Sequence, residues 1–188
     1  MKSGTANTVY IALLRGINVG GHKIIPMAKL KAIIESGGFA EVRTYIQSGN
    51  VVFASPDKKS DIVRTKVERT ISHALGYDVP TIVRSSAEMK KVNAGNIYAD
   101  EHAKGKTKLY VLFLEKKPAA KERDEILALQ VKGMSFHFGT RELYCLLDAR
   151  FSGNNSPFSA AAVEKILRQK ATARNWATTT TLLEMALL

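Results

Sequence analysis

One cysteine in 188 residues, Cys145, excludes any disulfide within the chain and suits a reducing compartment. It sits in the apolar run RELYCLLD, where a thiol is expected to be buried and inert rather than nucleophilic. No apolar run approaches the roughly 20 residues a membrane-crossing helix needs. The chain is polar through Thr8, and Val9–Leu14 is too short for the apolar region of a secretory leader. These shortages predict a cytoplasmic protein with no membrane partner. Acidic residues are scarce as well: Lys and Arg number 28 against 17 Asp and Glu, a net charge of +11. That excess favours an anionic partner such as nucleic acid, a phosphorylated metabolite or an acidic protein. The competing reading is a generally basic, solvated surface, and net charge alone does not choose between them.

The familiar chemical signatures are missing too. Gly16 and Gly21 have P-loop spacing, but His22 occupies the lysine position and no Ser or Thr follows Lys23. No G-x-G-x-x-G follows the first apolar run, so neither nucleotide motif is present and no cofactor is expected. His22, His73, His102 and His137 are scattered without metal-ligand spacing, and Cys145 has no zinc-type partner, so no metal is expected. There is no G-x-S-x-G and no paired-carboxylate motif, and Ser48 has no identifiable base. Enzyme or binding protein is left open.

What is present is a pattern of alternating strands and helices. Val9–Leu14 is continuously apolar, as a central strand should be. Arg15–Ile25 is a glycine-containing loop, and Pro26 fits a first helical turn, where its missing N–H costs nothing. Met27, Leu30, Ile33 and Ile34 make one apolar stripe, ended by Gly37-Gly38. Val42–Gln47 and Val51–Ala54 flank Ser48-Gly49-Asn50, a compact hairpin signal. Ser60 is positioned to cap a second helix with Val63, Val67, Ile71, Ala74 and Leu75 on one face and Gly76 at its end. Thr81–Arg84 supplies a fourth strand, and Ser85 to Glu88 has capping-box spacing for a short helix through Val92.

Asn93–Lys106 is polar and broken by Gly95 and Gly105, a predicted linker. The order then restarts. Leu109–Leu114 echoes the first strand, and Pro118 opens a helix with Ile126 and Leu127 facing inward. Ser135–Phe138 and Leu143–Leu147 flank the turn Gly139-Thr140-Arg141. Ser156-Pro157 begins a helix carrying Val163, Ile166 and Leu167, Ala171–Ala173 forms a short last strand, and Asn175 caps a closing helix. The threonine run Thr178–Thr181 argues against that closing helix on propensity. A parallel sheet needs a helix between every strand pair, whereas each half here shows a hairpin. The predicted class is α+β, two tandem ferredoxin-like β-α-β-β-α-β subdomains with antiparallel sheets, over residues 1–92 and 107–188 with the linker at 93–106.

In such a sheet the first and third strands are neighbours, and the exit of the first lies at the same edge as the hairpin between the second and third. Arg15, Asn18, His22, Lys23, Gln47, Ser48 and Asn50 therefore converge near the helix start at Pro26. Such a mixture suits a small anion or a polar planar ligand. Arg174 joins if the second half folds back on the first. The plain alternatives are that the glycines only permit positive φ, that the asparagines are turn residues, and that Arg15 and Lys23 are solvated charges.

A single-stranded nucleic-acid module is the second reading, because RNA-recognition domains share this strand order. VYIALL and LYVLFL place Tyr10 and Tyr110 where a stacking aromatic would sit, but NVVFAS and ELYCLLD lack the basic-glycine-aromatic run of the companion motif. Two buried tyrosines explain the same positions. A protein-interaction module without a small ligand is the third reading.

LRGINVGG, PMAKLKAIIESGGF and VRTYIQSGNVVF, with TARNWATTTTLLE near the end, resemble the bacterial family called domain of unknown function 1697. The resemblance implies two ferredoxin-like subdomains in a cytoplasmic protein and supplies no reaction, since the family has no established activity. Matching positions include Arg15, Asn18, Gly20, Gly21, Pro26, Gln47, Ser48, Gly49, Asn50, Arg174, Asn175 and Trp176. One departure stands out. Members of the family often carry a glycine-rich turn with Ser-Lys before the penultimate helix, and here Pro157 falls where that lysine would be.

Overall fold

The computed structural model describes residues 7–21, 23–129, 131–151 and 160–188. His22 and the turn around Gly153–Phe158, including the Ser156-Pro157 helix start, lie outside them. By Cα proximity the chain forms two compact units, one reaching to Lys90 and including Thr181–Leu188, the other spanning Lys91–Thr180.

The first unit contains β1 (Thr8–Leu14), α1 (Met27–Ser36), β2 (Ala40–Tyr45), β3 (Asn50–Ser55), α2 (Ser60–Leu75) and β4 (Thr81–Ser85), and α3 (Ser86–Ala94) begins in it. Its sheet order is β2-β3-β1-β4 and every pairing is antiparallel. Side chains alternate across a strand, so Tyr10, Ala12 and Leu14 share a face. They pack with Leu30, Ile34, Val63, Val67 and Ile71 from the two helices. Ile11 and Leu13, on the opposite face, are equally buried. That two-faced burial is why β1 reads as an unbroken apolar run.

The second unit repeats the plan. β5 (Thr107–Leu114), α5 (Ala120–Leu127), β6 (Met134–Phe138), β7 (Glu142–Asp148), α6 (Ala160–Leu167) and β8 (Ala171–Asn175) give the sheet order β6-β7-β5-β8, again antiparallel throughout. Leu112, Leu114, Leu143, Val163 and Leu167 form its helix-facing core with Cys145. Burial pushes the Cys145 thiol well above its ordinary range, which keeps it protonated and inert. The fold is thus the tandem ferredoxin-like α+β plait expected.

Several local expectations need correction. Ser60 is not the cap of α2. Lys59 occupies that position in extended conformation, and the Ser60 hydroxyl instead donates to Glu88 Oε2 at 2.7 Å. Leu127 is 50% exposed while Ile126 is fully buried, because adjacent helical residues point about 100° apart. The stretch 93–106 holds the end of α3 and α4 (Ala99–Ala103) rather than bare linker. The closing helix, by contrast, is present as expected, as α7 (Trp176–Met185), its threonines notwithstanding. Asn175 Oδ1 caps it by accepting the Thr178 N–H at 2.7 Å, and the Thr179 and Thr180 hydroxyls bond back to the carbonyls of Asn175 and Trp176. Its last turn lies in the first unit, where Arg43 donates to the Met185 carbonyl at 2.6 Å. A cation there complements the negative end of the helix.

The capping box at α3 is formed reciprocally. Glu88 N–H donates to Ser85 Oγ at 3.2 Å and Ser85 N–H to Glu88 Oε2 at 2.7 Å. Replacing Ser85 with alanine is expected to cost about 1 kcal/mol. Urea unfolding should show a lower midpoint at unchanged slope. An unchanged midpoint would mean that the Ser60 hydroxyl on Glu88 suffices to hold the helix start.

Candidate functional site

The edge of the first unit is assembled from three chain segments by backbone bonds. Leu14 N–H donates to the Gly49 carbonyl at 2.8 Å, and Arg15 N–H to the Pro80 carbonyl at 2.9 Å. The β1 exit is thereby held between the β2–β3 hairpin and the entry to β4. Ile17 turns inward and is buried beneath the hairpin.

Asn18 is the clamp. Its Nδ2 donates to the Gln47 carbonyl at 2.7 Å and the Ile25 carbonyl at 3.1 Å, and its Oδ1 accepts the Ile25 N–H at 2.7 Å. One carboxamide therefore closes the exit loop on itself and fastens it to the hairpin 29 residues away. Because Ile25 precedes Pro26, the start of α1 is fixed beside the hairpin. Among the described residues no side chain caps α1, and its first turn carries no acidic residue.

Lys23 lies against the α2–β4 connection. Its Nζ donates to the Asp78 carbonyl at 3.0 Å and sits 5.1 Å from the centre of the Tyr77 ring. Asn50 is fully buried, and its Nδ2 donates to the Tyr45 carbonyl at 3.1 Å and to Ser48 Oγ at 2.9 Å. These bonds hold the hairpin's curvature from inside. Gln47 is exposed, and Arg15 and Ser48 are half-buried.

Hydrogen bonds bring Asn18 to the Gln47 carbonyl and Asn50 to Ser48 at the hairpin. The Lys23 ammonium lies instead on the Asp78 side and the Arg15 backbone on Pro80, and the residues divide by role. Asn18 spends its amide on backbone, Asn50 on the Tyr45 carbonyl and the Ser48 hydroxyl, and Lys23 is engaged with the Asp78 carbonyl. Arg15, Gln47 and Ser48 are the groups at the surface of the edge. Arg174 belongs to the second unit, on β8. It is 8% exposed, and its Nη1 donates to Thr172 Oγ1 and the Ala173 carbonyl, both at 2.8 Å. Burial pulls its guanidinium down to about 10, since removing a cation from water penalises the charged form.

Two features escaped the sequence reading. Among the described residues five non-glycine positions have left-handed φ, and Asn18 (54°), Lys23 (48°) and Ile46 (48°) are three of them. Such backbone is unfavourable above all for a β-branched residue like Ile46, and strain of this kind gathers at functional sites. Beside them Val19, Ile24 and Ile46 are 66%, 70% and 49% exposed. The one signal available was the presence of branched apolar residues inside polar, glycine-rich turns.

Tyr10 is fully buried, stacked 6.3 Å from Phe53, with its hydroxyl donating to the Asp57 carbonyl at 2.8 Å. Burial pushes the phenol upward. Tyr110 packs half-buried against the second unit's helix-facing core. Both rings lie on the helix-facing side of their sheets.

The model of the family described as "Protein of unknown function (DUF1697)" matches residues 8–144. The chain belongs to this family. Its matched span includes every element of the first-unit edge, from β1 to the entry of β4. No curated protein matches the chain. Among solved structures it is similar to a conserved bacterial protein from Streptococcus pneumoniae, at 24% identity and a TM-score of 0.72, over 96% of this chain and 99% of that one. At that identity the likeness speaks for the fold, two ferredoxin-like units in tandem. No helix among the described residues is long and apolar enough to cross a membrane.

Proposed function

We propose that this cytoplasmic protein binds a small anionic or polar ligand at the first unit's edge, between the β1 exit loop and the β2–β3 hairpin. Arg15, Gln47 and Ser48 contact it, while Asn18, Lys23 and Asn50 hold the frame. The observation that carries this reading is the strain. Asn18, Lys23 and Ile46 all take left-handed backbone within two turns that one carboxamide ties together. Backbone of this kind gathers at functional sites, where the surrounding structure over-determines it. Arg15 supplies a planar fork suited to phosphate or carboxylate, and Gln47 and Ser48 can donate to or accept from a polar edge. The +11 charge favours an anion over a cation. The reading is one of binding, and no reaction is assigned.

A thermal-shift screen of the full chain with nucleotides, sugar phosphates and carboxylates tests it. A ligand at a hundred times its Kd should stabilise by about 2.7 kcal/mol. That corresponds to a rise of about 5–10 °C for a chain of this size. Arg15→Ala and Gln47→Ala, both at the surface of the edge, should lose most of that rise while melting normally without ligand. If no compound stabilises the wild type more than these variants, the proposal fails.

A further inference from the structure

The second unit rebuilds the same edge with different chemistry. Leu114 N–H donates to the Arg141 carbonyl at 2.9 Å, as Leu14 does to Gly49, and Glu115 N–H donates to the Lys170 carbonyl at 3.2 Å, as Arg15 does to Pro80. The next residue departs from the parallel. Lys116 N–H donates at 2.8 Å to Oε1 of Gln169, a side chain brought in by the turn from α6 into β8. Arg168, just before it, has a left-handed φ of 47°.

Gln169 is 8% exposed. Its Oε1 is committed to Lys116, and this fixes the carboxamide's orientation, because a flipped amide would set its NH2 against the Lys116 N–H. Its Nε2 is buried with no hydrogen-bond partner among the described residues. Native proteins keep few such donors, and each calls for an acceptor. The surroundings say which kind. Lys116, Lys117, Arg168 and Lys170 are exposed around it. Of the nearby carboxylates, Glu142 Oε2 takes the Arg141 N–H at 3.0 Å and Glu164 Oε1 the Ala171 N–H at 2.7 Å, and Glu115 is half-buried at the strand exit. The cations outnumber the acids, so a negatively charged acceptor is preferred over a neutral one.

We infer that the second unit carries its own oxyanion site at the β5 exit, in which Gln169 Nε2 donates to a phosphate or carboxylate oxygen and Lys116 and Lys170 supply the charge. It does not depend on the first unit's proposed site.

The test is titration of the full chain with inorganic phosphate, and separately with acetate, at constant ionic strength, followed by the side-chain amide signals in a ¹H–¹⁵N spectrum. The glutamine NH2 pair that is missing from Gln169→Glu should shift saturably, separately from any shift of the Gln47 pair. That variant keeps the acceptor for Lys116 N–H and puts a carboxylate oxygen where the donor was. Its affinity for the anion should fall at least tenfold. Lys116→Ala/Lys170→Ala, altered only at exposed side chains, should weaken binding about as much and guards against a folding defect in Gln169→Glu. Arg15→Ala should leave the titration of the Gln169 pair unchanged, whatever it does to the Gln47 pair. Saturation by phosphate alone would assign a tetrahedral anion, and saturation by acetate as well would assign any small oxyanion. Equal titration of wild type, Gln169→Glu and the double lysine variant would overturn the inference, as would the absence of any saturable shift.

Discussion

Asn18→Ala should destabilise the first unit by about 3 kcal/mol, a large share of a typical folding free energy. Three hydrogen bonds vanish with the carboxamide, to the Gln47 carbonyl, the Ile25 carbonyl and the Ile25 N–H. Each is worth about 1 kcal/mol net, and more where the abandoned partner stays buried. The φ of 54° at this position adds a further cost, since alanine occupies the left-handed region at a penalty of about 1–2 kcal/mol. Part of the loss is recoverable, because water can reach the Gln47 carbonyl at the exposed end of the clamp. Asn18→Gly separates the two contributions. It loses the same bonds but tolerates the backbone, so it should be less damaging than alanine by up to about 1 kcal/mol. Asn18→Asp keeps an acceptor for Ile25 N–H but turns a carboxylate oxygen toward two carbonyls, and should be no better than alanine. Chemical denaturation of the three variants checks the order. Losses below 0.5 kcal/mol for all three, about the size of an ordinary surface change, would show that the turns hold together without the clamp.

That residue also marks the boundary of what could be read from the sequence. The strands and helices were legible because burial imposes periods of 2 and 3.6 on the apolar residues, and VYIALL and LYVLFL announce central strands twice. The turn Ser48-Gly49-Asn50 announced a hairpin, and with strand order the meeting of the two turns followed. The direction of the amides did not follow. Whether Asn18 points at a ligand or at backbone depends on the carbonyls of Ile25 and Gln47, 7 and 29 positions away. Composition contains no trace of that. Gln169 is harder still, since its partner, the Lys116 N–H, is 53 residues distant. The threonine run shows the converse failure. Helix propensity argued against α7, but burial of Thr178 and Thr179 and the hydroxyl bonds of Thr179 and Thr180 to earlier carbonyls override it.

The second large effect is expected at Gly49, where local conformation and packing act together. Its φ is 74°, and a Cβ there would lie 2.6 Å from Ile17 Cδ1, 2.9 Å from Ile17 Cγ1 and 2.9 Å from Leu14 Cβ. Gly49→Ala should therefore cost about 1–2 kcal/mol for the left-handed backbone and about 1–3 kcal/mol for overpacking. Together these come to about 2–5 kcal/mol. The two contributions can be separated. Ile17 is buried under the hairpin, so Ile17→Ala is itself destabilising through the lost packing. In the double variant, however, two of the three short contacts disappear. The cycle should then show a favourable coupling of about 1–2 kcal/mol between the substitutions, well above the additivity expected of independent sites. Leu14 Cβ and the backbone strain remain, so rescue is incomplete. Ligand binding adds a functional readout. If the edge is the binding site, Gly49→Ala displaces Gln47 and Ser48 relative to Arg15, and compounds that stabilise the wild type should no longer do so even where the variant is folded. A strictly additive cycle would mean that the hairpin yields by moving away from Ile17. The close fit between hairpin and exit loop would then be incidental to holding Arg15, Gln47 and Ser48 together.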